Sequence, residues 1–276
     1  MAEDIHLPTL TVGQTVRFAL KTKTPSKRLP GTSRGDFVEQ MLELFLNMFG
    51  MKHTLSTIVG GVSGGERKRV SIMEALASRA TINAFDNSTR GLDSSTAVDY
   101  IRSLKILTRI TKSTTVVTLY QAGEQIYKEF DKVCLIDSGR QIYYGPASEA
   151  RAYFEELGFE HFPGTTTSDY LTSVTNPLER KIRPDFKGTV PSSPEELEAA
   201  FRESRFWASV QKELDEYDQD VAGDATEFAQ AVKDDKSKLV RTKSPYTVGF
   251  MMQVWYLLQR QLQLMWQDQT GIRSRL

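Results

Sequence analysis

Residues 62–67 read Val-Ser-Gly-Gly-Glu-Arg, and residues 85–93 read Phe-Asp-Asn-Ser-Thr-Arg-Gly-Leu-Asp. The first stretch puts a serine and two glycines at the start of a predicted helix. Unpaired backbone N–H groups and the positive end of the helix dipole favour an anion at such a place. Ser63 and Glu66 also have the spacing of a capping box, so this stretch alone fits an anion site and a plain helix cap about equally well.

The segments around these two stretches predict an α/β fold. Thr81–Asp86 and Thr114–Leu119 have strand character, and the β-branched, apolar second segment is typical of a buried strand. Between them lies a helix that Asp93 can cap, with apolar residues at helical spacing: Ala97, Val98, Ile101, Leu104 and Leu107. The order strand, helix, strand predicts a parallel sheet. Two short strands around Ser138-Gly139 then predict a β-hairpin.

Further helices are predicted on both sides of this region. Thr11 and Gln14 have capping-box spacing at the start of one helix, and Phe37–Phe49 forms a second with one apolar face. Residues 193–196, Ser-Pro-Glu-Glu, begin a charged helix. Near the end, an apolar stripe runs along a glutamine-rich helix: Met251, Trp255, Leu258, Leu262 and Met265.

Composition excludes several classes of protein. The 276 residues are 39% hydrophobic and 25% charged, with 35 basic and 35 acidic side chains. Zero net charge gives no overall attraction to nucleic acid, so no nucleic-acid partner is expected. A single cysteine, Cys134, excludes a disulfide framework and a cysteine-based zinc site. No window approaches the roughly 20 apolar residues of a membrane helix.

In order and spacing, the two opening stretches resemble the ABC ATPases. Ser63–Glu66 matches the signature loop of that family, Asp86 its Walker B aspartate, and Gly91-Leu92-Asp93 its D-loop. Three segments narrow the resemblance to the first nucleotide-binding domain of fungal pleiotropic-drug-resistance transporters, which are of the G type. They are Val-Ser-Gly-Gly-Glu-Arg-Lys-Arg-Val-Ser-Ile at 62–72, Asp-Asn-Ser-Thr-Arg-Gly-Leu-Asp-Ser-Ser-Thr-Ala at 86–97, and Leu-Tyr-Gln-Ala at 119–122.

This resemblance implies a partial ABC ATPase domain followed by a mostly helical linker. Residues 1–160 would hold the C-terminal part of the domain, a parallel sheet flanked by helices and a helical subdomain with the signature loop. The P-loop would lie upstream of residue 1. Residues 161–245 would form a polar linker with short helices. Residues 246–276 would form an amphipathic connecting helix before a transmembrane domain that the sequence does not include.

The resemblance also implies site residues. Ser63–Glu66 would bind the γ-phosphate of ATP held on a partner domain, because two ABC domains pair head to tail in this family. Asp86 would orient Mg²⁺ through water, and Asp93 would belong to the D-loop. Glu3 stands at the family's Q-loop position, although an acidic, frayed terminus is an alternative interpretation.

Two positions depart from the family pattern. The residue after the Walker B aspartate is Asn87 where most ABC ATPases have a glutamate general base, and Tyr120 stands where a histidine is usual. An amide cannot take a proton, and loss of a positioned base costs ~10²–10⁴ in rate. The chain's own ATP site is therefore expected to be degenerate, and without a P-loop the isolated chain is expected to be inactive.

The leading hypothesis is a part of an ATP-dependent exporter of drugs or other xenobiotics. Its partners would be a second ABC domain, the transmembrane domain of the same transporter, and the membrane surface through residues 246–276. It would act at the cytosolic face of a membrane, in the plasma membrane for the whole transporter. The alternatives are a soluble ABC protein without transport activity, a non-catalytic fragment that docks on a complete ABC domain, and a pseudogene product.

Overall fold

The computed structural model describes residues 6–120, 122–237, 240, 241, 244 and 246–267, with the backbone alone at 219–228 and 231. Its helices are α1 Val12–Lys23, α2 Arg34–Met48, α3 Gly64–Leu76, α4 Ser94–Thr111, α5 Glu124–Tyr127, α6 Ala150–Glu156, α7 Thr167–Thr175, α8 Pro194–Arg202, α9 Arg205–Asp235 and α10 Phe250–Gln267. Its strands are β1 Ile82–Asp86, β2 Thr114–Thr118, β3 Lys132–Asp137 and β4 Arg140–Pro146.

The chain divides into two compact units. The first consists of Met1–Leu92, Ile110–Val116 and Ala225–Leu276. The second consists of Asp93–Arg109 and Val117–Asp224.

Helix α1 organises the first unit, because α2, α3 and α10 all pack against it. The predicted capping box at its start is present: the side chain of Thr11 accepts the N–H of Gln14, and the side chain of Gln14 accepts the N–H of Thr11. The apolar faces of α1, α2 and α3 supply buried residues, among them Val12, Val16, Leu20, Val38, Leu42, Phe45, Val70, Met73 and Leu76. For α2, the helical spacing of apolar residues in the sequence predicted this face correctly, since Val38, Leu42 and Phe45 are buried.

The α/β class is confirmed, with a parallel pair formed by β1 and β2 and joined through α4. The prediction that residues 114–119 form a buried strand is wrong about burial. Residues along β2 alternate between exposed and half-buried, and Val116 is 55% exposed. On β1, Ile82 is 70% exposed. β1 and β2 form a two-stranded sheet among the described residues, and Ile82 and Val116 lie on parts of its faces that no described element covers.

The second predicted strand pair forms as an antiparallel hairpin of β3 and β4. Ser138 and Gly139 connect the strands with φ of 50° and 79°. Two consecutive positive φ values match a two-residue turn whose twist suits a hairpin, and glycine adopts such a value without a steric cost.

The core of the second unit is aromatic and includes part of the predicted linker. Tyr143 on β4 packs with Tyr153 and Phe154 of α6, with Phe201 of α8, and with Phe206 of α9 at centroid distances of 5.2–6.1 Å. Helix α7 adds further buried side chains to this core: Tyr170, Leu171 and Val174. The boundary predicted at residue 160 therefore does not separate two cores, because residues on both sides of it pack together.

Candidate functional site

Ser63 is the N-cap of α3 and forms a complete capping box with Glu66. The Ser63 hydroxyl accepts the N–H of Glu66 at 3.3 Å and donates to Oε2 of the same residue at 2.8 Å. The N–H of Ser63 also donates to Glu66 Oε2, at 2.8 Å. The capping-box interpretation of this stretch is therefore correct for the local geometry, and the carboxylate of Glu66 lies over the first turn of α3.

His53 adds a contact that the sequence pattern did not reveal. Its Nε2 lies 3.0 Å from Oε1 of Glu66, whereas Ser63 contacts the other carboxylate oxygen, Oε2. The pKa of Glu66 is lowered, chiefly by the N–H of Ser63, then by the Ser63 hydroxyl, with a smaller contribution from His53. Glu66 is therefore ionised at neutral pH, and an anion arriving at this helix end would meet a carboxylate that already accepts the nearest donors.

The two glycines that follow Ser63 differ in their surroundings. A Cβ on Gly64 would have nothing within 4 Å among the described residues, whereas a Cβ on Gly65 would lie 3.2 Å from Cδ2 of Leu92. Neither glycine has a positive φ. At Gly64, neither backbone conformation nor packing calls for glycine, which leaves close approach of a ligand as a physical reason for it.

Asp86 and Asn87 lie where β1 ends. Asp86 is the last, exposed residue of the strand, and Asn87 takes φ of 48° at the start of a turn. The turn continues with hydrogen bonds from Arg90 N to the Asn87 carbonyl at 3.2 Å and from Leu92 N to the Thr89 carbonyl at 3.1 Å. In the first unit, the signature stretch and this turn are thus in contact through Gly65 and Leu92.

The donor set for a cation is small. Within the described part of the chain, no three His, Cys, Asp or Glu side chains cluster as metal ligands. Asp86 provides one carboxylate. Mg²⁺ in nucleotide sites is commonly held by one or two carboxylates together with phosphates and water, so a single Asp86 fits an ion that nucleotide and water hold in place.

Asp93 caps α4, as predicted. Its Oδ2 accepts the Ser95 hydroxyl at 2.6 Å and the N–H of Thr96 at 3.1 Å. Hydrogen bonds from Ser95 and then Thr96 hold the pKa of Asp93 well below its ordinary value. Tyr120, in the same unit, follows β2 and is 71% exposed. Glu3, the predicted Q-loop residue, lies outside the described residues.

Helix α10 carries the predicted apolar stripe on its outer surface. All five stripe residues are exposed, as are several apolar neighbours: Phe250, Met251, Val254, Trp255, Leu257, Leu258, Leu262, Met265 and Trp266. Tyr256 on the opposite side is 8% exposed. The helix therefore turns Tyr256, Arg260 and Gln267 towards α1 and leaves its apolar side uncovered within the described residues.

Comparisons with known proteins decide the family. No protein-family model matches the chain. The chain is 49% identical over 275 residues to ABC multidrug transporter I of Aspergillus fumigatus, covering 96% of this chain and 18% of that protein. It is 44% identical over 280 residues to ABC transporter G family member 15 of Dictyostelium discoideum, covering 99% of this chain and 19% of that protein. The chain belongs to the G family of ABC transporters.

This membership confirms the resemblance to G-type ABC transporters that the sequence motifs indicate. The multidrug transporter atrF of Aspergillus fumigatus matches it as well, at 46% identity over 285 residues, with 99% of this chain and 18% of that protein covered. The chain thus spans 18–19% of the length of these relatives. Among solved structures, cbiO1 from Clostridium perfringens aligns with a TM-score of 0.43 and 21% identity over 53% of this chain and 55% of that one.

In the described ranges of this G-family segment, no helix combines the length and hydropathy needed to cross a bilayer.

His53 was not predicted as a site residue because it lies 13 positions before Glu66 in the sequence. A loop with two short 3₁₀ helices, Lys52–Thr54 and Val59–Gly61, brings the two side chains together. A histidine shortly before a signature stretch is a weak signal in a sequence read alone.

Proposed function

We propose that this chain is part of an ATP-driven exporter of drugs or other xenobiotics, and that its signature loop completes an ATP site on a second ABC domain. Ser63, Gly64 and Gly65 would contact the γ-phosphate of that ATP, and the Ser63 hydroxyl would exchange its hydrogen bond to Glu66 for one to the phosphate. The observation that carries the proposal is the first turn of α3, where a serine hydroxyl and an unobstructed glycine stand at a helix N-terminus.

The chain's own ATP site would be poor in hydrolysis. Asn87 occupies the place of the general base, and its amide cannot accept a proton from water. Tyr120 occupies the second catalytic place, where a histidine is usual in the family, and a phenol is a poor match for a γ-phosphate. Hydrolysis would then depend on the partner domain's catalytic residues and on this chain's signature loop.

ATP and Mg²⁺ are the cofactors of this proposal. Asp86 would orient the ion through water, as a lone carboxylate at a strand end is suited to do. When bound, the ion neutralises charge on the phosphates. Asp93, held ionised by Ser95 and Thr96, would fix the start of α4 next to this site in sequence.

The remaining partners are a transmembrane domain and the membrane surface. The exposed apolar side of α10 supports docking of residues 246–276 along a bilayer, since an interfacial helix buries one apolar face in the headgroup region. The chain would lie on the cytosolic face, in the plasma membrane for the whole transporter.

A segment exchange tests the trans signature. The chain would replace the homologous stretch of ABC multidrug transporter I of Aspergillus fumigatus, and ATPase activity and drug efflux would be measured in membrane vesicles. Ser63→Ala should lower ATPase activity by ~10²-fold or more, the usual cost of losing one donor to developing charge.

Ser193→Ala is the matched control. Ser193 caps α8 as Ser63 caps α3, accepting the N–H of a glutamate three residues on at 3.2 Å. Both substitutions remove a cap and cost roughly 0.5–2 kcal/mol of stability. Equal losses of ATPase activity in the two variants would mean that Ser63 acts through helix stability alone, which contradicts the proposal.

A further inference from the structure

The side chains between α1 and α10 are polar or aromatic, although the opposite side of α10 is apolar. Gln267 donates to Gln14 Oε1 at 3.1 Å. The Arg260 guanidinium lies over the ring of Phe18, 4.3 Å from its centroid, and Lys21 Nζ lies 5.9 Å from the centroid of Tyr256. Two cation–π contacts and an amide pair therefore hold this helix pair together.

A groove of about 250 Å³ runs along this helix pair. It is lined by Gln14, Arg17, Phe18, Lys21, Tyr256, Gln259, Arg260 and Gln263. Three of these side chains are cationic and none is acidic. The glutamine amides add hydrogen-bond donors, so the groove has the chemistry to bind an anion.

The cations of the groove are only partly compensated. Glu39 on α2 pairs with Arg17 through two hydrogen bonds, of 2.7 and 2.9 Å, and Lys21 helps to lower the pKa of Glu39. Arg260 has no ion pair among the residues that the structure describes, and its Nε is buried without an acceptor. A buried donor without a partner is unfavourable, and a bound anion would remove that cost.

We propose that the groove between α1 and α10 binds the phosphate of an anionic phospholipid headgroup. The inference rests on the proposed docking of α10 on a bilayer. When the apolar side of an interfacial helix enters the acyl boundary, its other side lies among the headgroups. Arg260 and Lys21 are then at the level of the lipid phosphates, and Arg260 offers the planar fork that suits a phosphate.

Vesicle flotation of the full chain tests the inference. Neutral phosphatidylcholine vesicles measure docking through the stripe, and vesicles that also contain phosphatidylserine measure the added effect of anionic lipid. The wild-type chain should prefer the anionic vesicles. Arg260→Gln and Lys21→Gln should each reduce binding to anionic vesicles by about fivefold, the worth of one basic residue near an anionic surface, and should leave binding to neutral vesicles unchanged.

Lys23→Gln is the matched control, because it removes one charge from the same helix at a residue that does not line the groove. Equal effects of Lys21→Gln and Lys23→Gln would overturn the inference, since a diffuse surface potential would explain both. Arg260→Lys keeps the charge but loses the planar fork, so it should recover only part of the preference. Circular dichroism of each variant checks folding, and Lys21→Gln keeps the test decisive if Arg260→Gln fails to fold.

The two proposals fail in different ways. Equal wild-type binding to neutral and anionic vesicles would overturn the groove site while docking of α10 stands. Absence of binding to either vesicle would overturn both. Binding of inorganic phosphate to the groove, detected by chemical-shift changes of Arg260 without vesicles and lost in Arg260→Gln, would overturn the assignment to a lipid.

Discussion

Replacing Gly64 with alanine adds one methyl group at the first residue of α3. Gly64 has no positive φ, and no described atom lies within 4 Å of the added carbon. Alanine reduces the conformational entropy of the unfolded chain, and at this position it does not strain the folded chain. Such a substitution typically stabilises a protein by ~0.4–1 kcal/mol. Gly64→Ala should therefore leave the free energy of unfolding unchanged or raise it by that amount.

The same methyl group should be damaging to function. If a phosphate approaches the backbone at Gly64, a Cβ occupies the space that the phosphate needs, and loss of one such contact costs ~10²–10³ in turnover. Two measurements are needed: urea unfolding of the chain followed by circular dichroism, and ATPase activity of the exchanged transporter in vesicles. Stability and activity should move in opposite directions.

Two other glycines calibrate the stability measurement. A Cβ on Gly13 would lie 2.6 Å from Leu55 Cδ1 and 2.9 Å from the Leu55 carbonyl oxygen, so Gly13→Ala should destabilise by ~1–3 kcal/mol. A Cβ on Gly65 would lie 3.2 Å from the flexible end of Leu92, so the stability of Gly65→Ala should lie between those of Gly64→Ala and Gly13→Ala. Unchanged ATPase activity in Gly64→Ala would refute the reasoning, as would a loss of stability as large as that of Gly13→Ala.

Three further outcomes are expected in urea unfolding. The N–H of Ser63 lowers the pKa of Glu66 in the folded chain. The stability that ionised Glu66 adds is therefore fully present above its ordinary pKa of 4.5 and is lost as pH falls through its lower, folded pKa. Glu66→Gln should flatten the pH dependence of the free energy of unfolding in that acidic range. Phe201 is buried, so Phe201→Ala should lower the free energy of unfolding by ~3–5 kcal/mol. Phe250 is exposed, so Phe250→Ala should change it by no more than ~0.5 kcal/mol. Asn87→Ala should lower the free energy of unfolding by ~1–2 kcal/mol, because alanine is strained at the left-handed φ of 48° that Asn87 adopts. Asn87→Gly should lower it less, since glycine adopts this φ without strain. Equal losses in the two variants would point to a lost side-chain contact instead.

Local signals in the sequence predicted local structure well. The capping boxes at Thr11 and Ser63, the cap at Asp93 and the hairpin turn at Ser138-Gly139 all formed as predicted. Each depends on hydrogen bonds or backbone angles within about four residues, so the residues that decide the outcome are neighbours in the chain. The family resemblance had the same basis, because its motifs are short and contiguous.

Long-range packing explains what the sequence could not predict. The β-branched composition of β2 is typical of a buried strand, yet burial depends on what covers the strand, and Val116 is exposed. The Ser- and Thr-rich segment that contains α7 reads as a linker, yet Tyr170 and Leu171 lie in the aromatic core. In both cases the deciding neighbours are far away along the chain.

The sequence by itself determined helices α1–α4, α8 and α10, the caps, the hairpin and the family of this chain. The tertiary structure decided that Glu66 is shared between Ser63 and His53, and that α10 turns its polar side to α1. A helical pattern specifies that two faces differ, and only packing selects which one is covered. Here Arg260 and Tyr256 find aromatic and cationic partners on α1, so the polar side is the one that packs.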